Sequence, residues 1–258
     1  MYTDDIPKQD LIVTPVSTLL FDEQINLMVS WANQKQSRMV CVANVHMLVE
    51  AWQNNHFANV LKQADLVTPD GMPLVWMLKS LGHKQAQRVA GMDIFQTVCQ
   101  QAAIAQTSIF LLGSSPEVLD KISQRLKLQF PTIKIAGTES PPFRPLASTV
   151  DMDMVNTINE SGAGVLFVAL GCPKQELWMN QHKDKIQAVM IGVGGVFPVY
   201  AGILKETPKL MQNLGLEWLF RLCQEPKRLW KRYATTIPIF IWLMLKQIVF
   251  SKENQIKS

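Results

Sequence analysis

With 258 residues, 48% of them hydrophobic and 18% charged, the chain has a globular composition and is long enough for one large α/β domain with an appendage, but short for two equal domains. A net charge of +4 is too small to make nucleic acid an expected partner. The four cysteines, Cys41, Cys99, Cys172 and Cys223, lie far apart without zinc spacing, which suits reduced thiols in the cytoplasm, and residues 1–10 lack the basic and apolar regions of a secretion signal.

In chain order, residues 11–16 read as a short strand and 21–36 as a helix whose Ile25, Leu27, Met28 and Trp31 share a face. Residues 39–43 form the next strand, which hands over at Asn44 to a helix over 47–63. Asn44 there is either a helix cap or a ligand contact. A short strand beginning near residue 64 ends in the turn Pro69-Asp70-Gly71, before a helix over 74–81. Asp70 is a cap, or a carboxylate delivered to the sheet edge in an exposed turn. Arg88 and Asp93 flank a third junction, R-V-A-G-M-D, opening a helix over 94–106, and an ion pair between them would account for both.

Residues 108–112 form an apolar strand running into Gly113-Ser114-Ser115-Pro116, a helix start able to take phosphate oxygens on its N–H groups. It is not a P-loop, since no Lys-Ser/Thr follows. A helix to residue 130, a strand over 133–137, a proline-rich loop over 141–145 and a helix over 150–160 come next. Asp151-Met152-Asp153 has the D-x-D form of a metal-holding motif, but acidic residues in a first helical turn answer the helix dipole, and that reading is preferred. His46, His56, His83 and His182 show no metal spacing.

Residues 165–170 are a continuous apolar run bounded by Gly171 and Pro173, as expected of a strand buried on both faces. Lys174, Gln175 and Glu176 follow at its carboxyl end, where open α/β sheets place their ligands, although Gln175 and Glu176 also suit a solvated helix start. A last strand over 188–193 ends in Gly194-Gly195. Its glycines lack the spacing and the downstream acidic residue of a dinucleotide fingerprint. Apolar strands alternating with helices imply an α/β fold: a mostly parallel sheet with helices on both faces.

The motifs T-P-D-G-M-P-L-V-W, R-V-A-G-M-D, F-L-L-G-S-S, G-C-P-K-Q-E-L-W, G-V-G-G-V-F and G-L-E-W-L-F-R-L-C-Q-E-P-K-R-L-W-K-R-Y, ordered over residues 40–233, resemble those of the WecG/TagA/CpsF glycosyltransferases. The resemblance implies a Rossmann-like fold and transfer of a sugar (N-acetylmannosamine, its uronic acid or glucose) from a UDP-sugar to a polyprenyl-diphosphate-linked saccharide. It implies inversion, with no metal or other cofactor. Asp70 matches the family's general base and Gln175 its active-site polar residue. Asn44, Arg88, Asp93, Gly113, Ser114, Glu176 and Gly194 are the further candidates for substrate contact, with Arg221, Arg228 and Arg232 for the UDP phosphates. Val42 stands where many members have Thr, Pro198 where an acidic residue is usual, and Glu206-Thr207-Pro208 where Arg-Ala-Pro is usual. These departures bear on the donor sugar.

A division into a Rossmann-like domain over 1–205 and a C-terminal helical appendage over 206–258 follows. Basic residues beside Trp218, Trp230 and Tyr233, then an apolar run over 237–250 interrupted by Pro238, Lys246 and Gln247, read as too short to span a bilayer. They suit docking at an anionic membrane surface, here the inner face of the cell membrane. The alternative is packing on the protein's own core or in a homo-oligomer interface. Two other functions compete with transfer: a nucleotide-dependent oxidoreductase, and a non-catalytic membrane-surface scaffold.

Overall fold

The computed structural model describes residues 6–142, 146–147 and 149–256; residues 143–145 of the expected proline-rich loop lie outside them. The chain opens with β1 (Lys8–Leu11) and β2 (Thr14–Ser17), an antiparallel hairpin rather than the single strand expected over 11–16. Leu11 and Val16 are both core residues, so the run looked continuous, but Ile12 takes a positive φ that reverses the chain. After α1 (Phe21–Asn33) and β3 (Arg38–Ala43), the single helix expected over 47–63 is two, α2 (Val45–Gln53) and α3 (Asn55–Lys62). Asn54 breaks them by leaving the helical region, and its side chain accepts the N–H groups of His56 and Phe57 as the cap of the second.

β4 (Leu66–Pro69), α4 (Met72–Ser80), α5 (Gly91–Ala105), β5 (Ser108–Gly113), α6 (Pro116–Gln129) and β6 (Lys134–Glu139) follow. Then come α7 (Met152–Glu160), β7 (Val165–Ala169), α8 (Lys174–His182) and β8 (Val189–Gly192). Asp151 caps α7 by accepting the N–H of Met154. Short helices α9 (Val196–Tyr200), α10 (Lys209–Asn213) and α11 (Glu217–Gln224) lead into α12 (Pro226–Ile256).

The six strands β3–β8 form one parallel sheet in the order β4-β3-β8-β7-β5-β6. Side chains alternate across it with period two. Met39, Cys41, Ala43, Leu166, Val168 and Met190 enter one core with α2, α3, α4 and α8. Val40, Val42, Val165, Phe167, Val189 and Ile191 enter the other with α1, α5 and α6. Both faces being covered, the strands read as unbroken apolar runs, and each fully buried large side chain contributes about 1.5–3 kcal/mol. Phe95 of α5 anchors the second core, edge-on to Phe167 at 4.7 Å and to Tyr200 at 4.9 Å. The strand order brings the carboxyl ends of β4, β3, β8 and β7 side by side, and the cleft described below lies over them.

α12 corrects the expectation of a short, interrupted tail. It runs for 31 residues through Pro238, and within Pro226–Ser251 an 18-residue window reaches a mean hydropathy of 1.5, so by length and composition the helix could cross a membrane. Pro238 removes one backbone donor, while buried Leu229 before it and Phe240 and Leu243 after it hold both halves by packing. The helix lies on the body: it packs on α2 and α4, and Gln247 accepts the N–H of Ile12 at 2.7 Å and donates to the Asp10 carbonyl at 2.7 Å. Its other side leaves Ile241, Leu245, Val249 and Phe250 exposed. Packing on the protein's own body, the alternative weighed for this stretch, thus accounts for one face of the helix.

Candidate active site

Asp70 forms the floor of the cleft. Its backbone N–H donates to the Ala43 carbonyl at 2.9 Å, which extends the β3–β4 ladder by one residue and fixes the carboxylate at the sheet edge. It does not cap α4, a position taken by Gly71; instead its Oδ1 accepts the N–H of Gly91, the first residue of α5, at 3.4 Å. Nor is the turn exposed as expected, since only a quarter of the side chain is open to the cleft. Burial, then the Glu217 carboxylate, push the Asp70 carboxyl up to about 7, against the opposing pull of Arg88, Arg221 and the Gly91 N–H.

Arg88 ties this floor to the C-terminal helices. Its Nε donates to the Asp70 carbonyl at 2.8 Å, Nη1 to Gln212 Oε1 at 2.9 Å and Nη2 to Glu217 Oε2 at 2.9 Å. The ion pair expected with Asp93 is a contact at 4.0 Å, at the outer limit, and Asp93 also lies 3.7 Å from Lys209. Arg88 is therefore held chiefly by Glu217 and Gln212, 129 and 124 residues away in sequence. Such a half-buried charge-assisted pair orders its partners more than it stabilises the fold.

The second wall carries cations. Arg221 of α11 reaches across to the loop after β8, where a Cβ on Gly195 would stand 2.5 Å from its Nη2. Arg228 lines the cleft while paired with Glu225, and Arg232 lines it with its Nε buried and unpartnered. Gln224 clasps the facing loop, accepting the N–H of Lys205 at 2.8 Å and donating to its carbonyl at 3.0 Å.

Gln175 is 4% exposed in the cleft wall, with both ends of its amide engaged: Oε1 accepts the Gly171 N–H at 3.2 Å and Nε2 donates to Glu176 Oε1 at 2.7 Å. It packs under Gly192 and Gly194, joining the β7–α8 loop to the β8 loop. Glu176 is fully buried, does not line the cleft, and is pushed by burial up to about 7. Asn44 lines the cleft and also caps α2 by accepting the Met47 N–H at 3.2 Å, so its two readings coexist. Gly194 and Asp93 line the cleft as well, whereas Gly113 and Ser114 do not. Those two build the turn into α6, which Ser115 caps, and the Ser114 carbonyl accepts Ser140 Oγ–H. Asp151 and Asp153 also lie off the cleft, and among the described residues no three His, Cys, Asp or Glu side chains cluster as a metal site.

Sequence reasoning missed Glu217, Gln212 and Gly195. Glu217 stands in the quoted G-L-E-W-L-F motif and Gly195 in G-V-G-G-V-F, so the signal was present, but nothing local says that Glu217 meets Arg88.

A parallel α/β sheet with Asp70 at its carboxyl edge, under a wall of arginines, gives a Rossmann-like architecture with a charged cleft where such sheets bind their ligands. The model of the glycosyl transferase WecG/TagA/CpsF family matches residues 9–254, and the chain belongs to that family. It is 30% identical over 247 residues, 95% of this chain and 92% of the relative, to the N-acetylglucosaminyldiphosphoundecaprenol N-acetyl-beta-D-mannosaminyltransferase of Bacillus spizizenii. The protein is thus a glycosyltransferase, and the oxidoreductase and scaffold readings fall away.

Proposed function

We propose that the protein moves a sugar from a UDP-sugar to a polyprenyl-diphosphate-linked saccharide with inversion at the anomeric carbon. The name of the Bacillus relative supports N-acetylmannosamine as that sugar and an N-acetylglucosaminyl diphosphate lipid as acceptor. The acceptor hydroxyl oxygen bonds to the anomeric carbon as its proton passes to Asp70. The bond from that carbon to the diphosphate oxygen breaks, and its electron pair leaves with UDP. Attack opposite the leaving group inverts the centre. Arg221 and Arg228 take the charge that develops on the leaving diphosphate, as preorganised cations do where water is excluded. Gln175, its amide already engaged, acts by positioning the loops rather than by touching the sugar.

The observation that carries this reading is Asp70 itself: a cleft-floor carboxylate with a proton affinity near neutrality, facing arginines. A base so tuned contributes roughly 10²–10⁴-fold. Asp70→Asn is expected to lower turnover by at least about 10²-fold while UDP-sugar affinity, read by calorimetry, stays within a few-fold. Near-normal turnover would remove Asp70 from the role. The exposed apolar side of α12 supports a place at the inner face of the cell membrane, where a lipid-linked acceptor resides.

A further inference from the structure

Beside the polar cleft lies a second cavity of about 410 Å³. At the end it shares with the cleft stand Asp70, Glu217, Arg88, Arg221 and Arg232, where Glu217 is paired with Arg88, and from there it runs between α4, α11 and α12. Its character changes along its length. The end at the cleft is charged, and the far end is walled by Trp76, Ile237, Phe240, Ile241 and Met244. Trp76, 46% exposed, forms one side, with its indole seated against Gly215, where any Cβ would come within 2.7 Å of the ring. Ile241 is itself 47% exposed on α12, so the apolar end opens where the exposed side of that helix begins. His46, held largely neutral because burial, then Arg232, push it down to about 4, lines the cavity and adds no charge at neutral pH.

A ligand matching this gradient has an anionic head at Arg232, whose Nε is buried and unpartnered, and an apolar chain along α12. From Arg232 to Met244 the helix rises about 18 Å, the extended length of about four isoprene units. Resting on the function proposed above, we infer that this groove is the acceptor's lipid subsite: it takes the first isoprene units of the polyprenyl diphosphate, so that the chain's own walls, and not the membrane alone, select a prenyl-linked acceptor. Continuity with the cleft supports this occupant, since a chain lying in the groove delivers its diphosphate to Arg232 and the sugar beyond it to Asp70.

The test uses the full chain and three probes that need no knowledge of the donor: a tetraprenyl diphosphate, inorganic diphosphate, and an alkyl-chain phospholipid monomer, with binding read by tryptophan fluorescence and calorimetry. The tetraprenyl diphosphate is expected to bind at least about tenfold more tightly than inorganic diphosphate. Trp76→Ala and Ile241→Gln, both at partly exposed side chains, are expected to remove most of that gain and leave inorganic diphosphate unchanged. Equal binding of the two diphosphates, or variants that weaken both alike, would overturn the inference. Phospholipid binding as tight as the prenyl probe would do the same, by making the groove a site for membrane lipid. Sugar transfer is scored separately, so a protein that binds the prenyl probe yet transfers nothing would sink the proposed reaction and leave the groove assignment standing.

Discussion

The proton affinity of Asp70 is set first by burial and then by its neighbours, foremost Glu217 of α11. Because its carboxyl sits at about 7, the base form is lost as pH falls through that value, and kcat/KM is expected to rise with pH along a limb centred there. Glu217 raises that affinity, so Glu217→Gln, which keeps an oxygen for Arg88 but removes the charge, is expected to move the limb at least about half a unit to lower pH. A limb that stays put would assign it to another group. Glu176 titrates in the same range, but it is fully buried off the cleft and does not feel Glu217 among its main influences. Gly195 gives a second test. The nearest atoms a methyl there would meet are all in the guanidinium of Arg221, at the end of a long side chain, and the backbone is in the ordinary helical region, so stability should change by less than about 0.5 kcal/mol. Turnover of Gly195→Ala should nevertheless fall by about tenfold or more, about 1.4 kcal/mol of lost charge stabilisation, and unchanged turnover would free Arg221 from the diphosphate. Asp70 was legible in the sequence because Pro-Asp-Gly after an apolar strand puts a carboxylate at a sheet edge. Glu217 was not, because an ion pair across 129 residues leaves no local trace.

Among the elements, α12 shows where pattern reading stops. The apolar run and its basic, aromatic approach were visible, but Pro238, Lys246 and Gln247 looked like interruptions. In the fold, Gln247 clasps the β1–β2 hairpin, Lys246 lies over the ring of Trp242 at 5.3 Å, and packing carries the helix past the proline. Only tertiary contacts separate its buried Phe240 and Leu243 from its exposed Leu245 and Phe250. Leu245→Asp together with Phe250→Asp is expected to abolish co-sedimentation with anionic liposomes, with Tm changed by less than about 2 °C, because neither side chain packs in the core. Undiminished co-sedimentation would move the membrane contact to another surface. The split of the long helix at Asn54 was illegible for a related reason. Asparagine caps helices and also occurs within them, and the apolar positions on either side keep nearly the same period.

For the whole molecule, the parallel sheet was legible because strands covered on both faces leave unbroken apolar runs between amphipathic helices. Its order was not, since the insertion of β8 and β7 between β3 and β5 is fixed by packing rather than by any strand's own sequence. That order gathers Asp70, Asn44 and the β8 loop at one edge, and the C-terminal helices then close over it with Glu217, Arg221, Arg228 and Arg232. The most direct test of the account is mass spectrometry of a prenyl-diphosphate-linked N-acetylglucosamine after incubation, in excess EDTA, with a panel of UDP-sugars and either the wild-type protein or Asp70→Asn. The account expects one UDP-sugar, foremost UDP-N-acetylmannosamine, to add a single sugar residue to the acceptor, with the gain nearly absent for Asp70→Asn. An acceptor unchanged by every UDP-sugar, or extended equally well by Asp70→Asn, would contradict it.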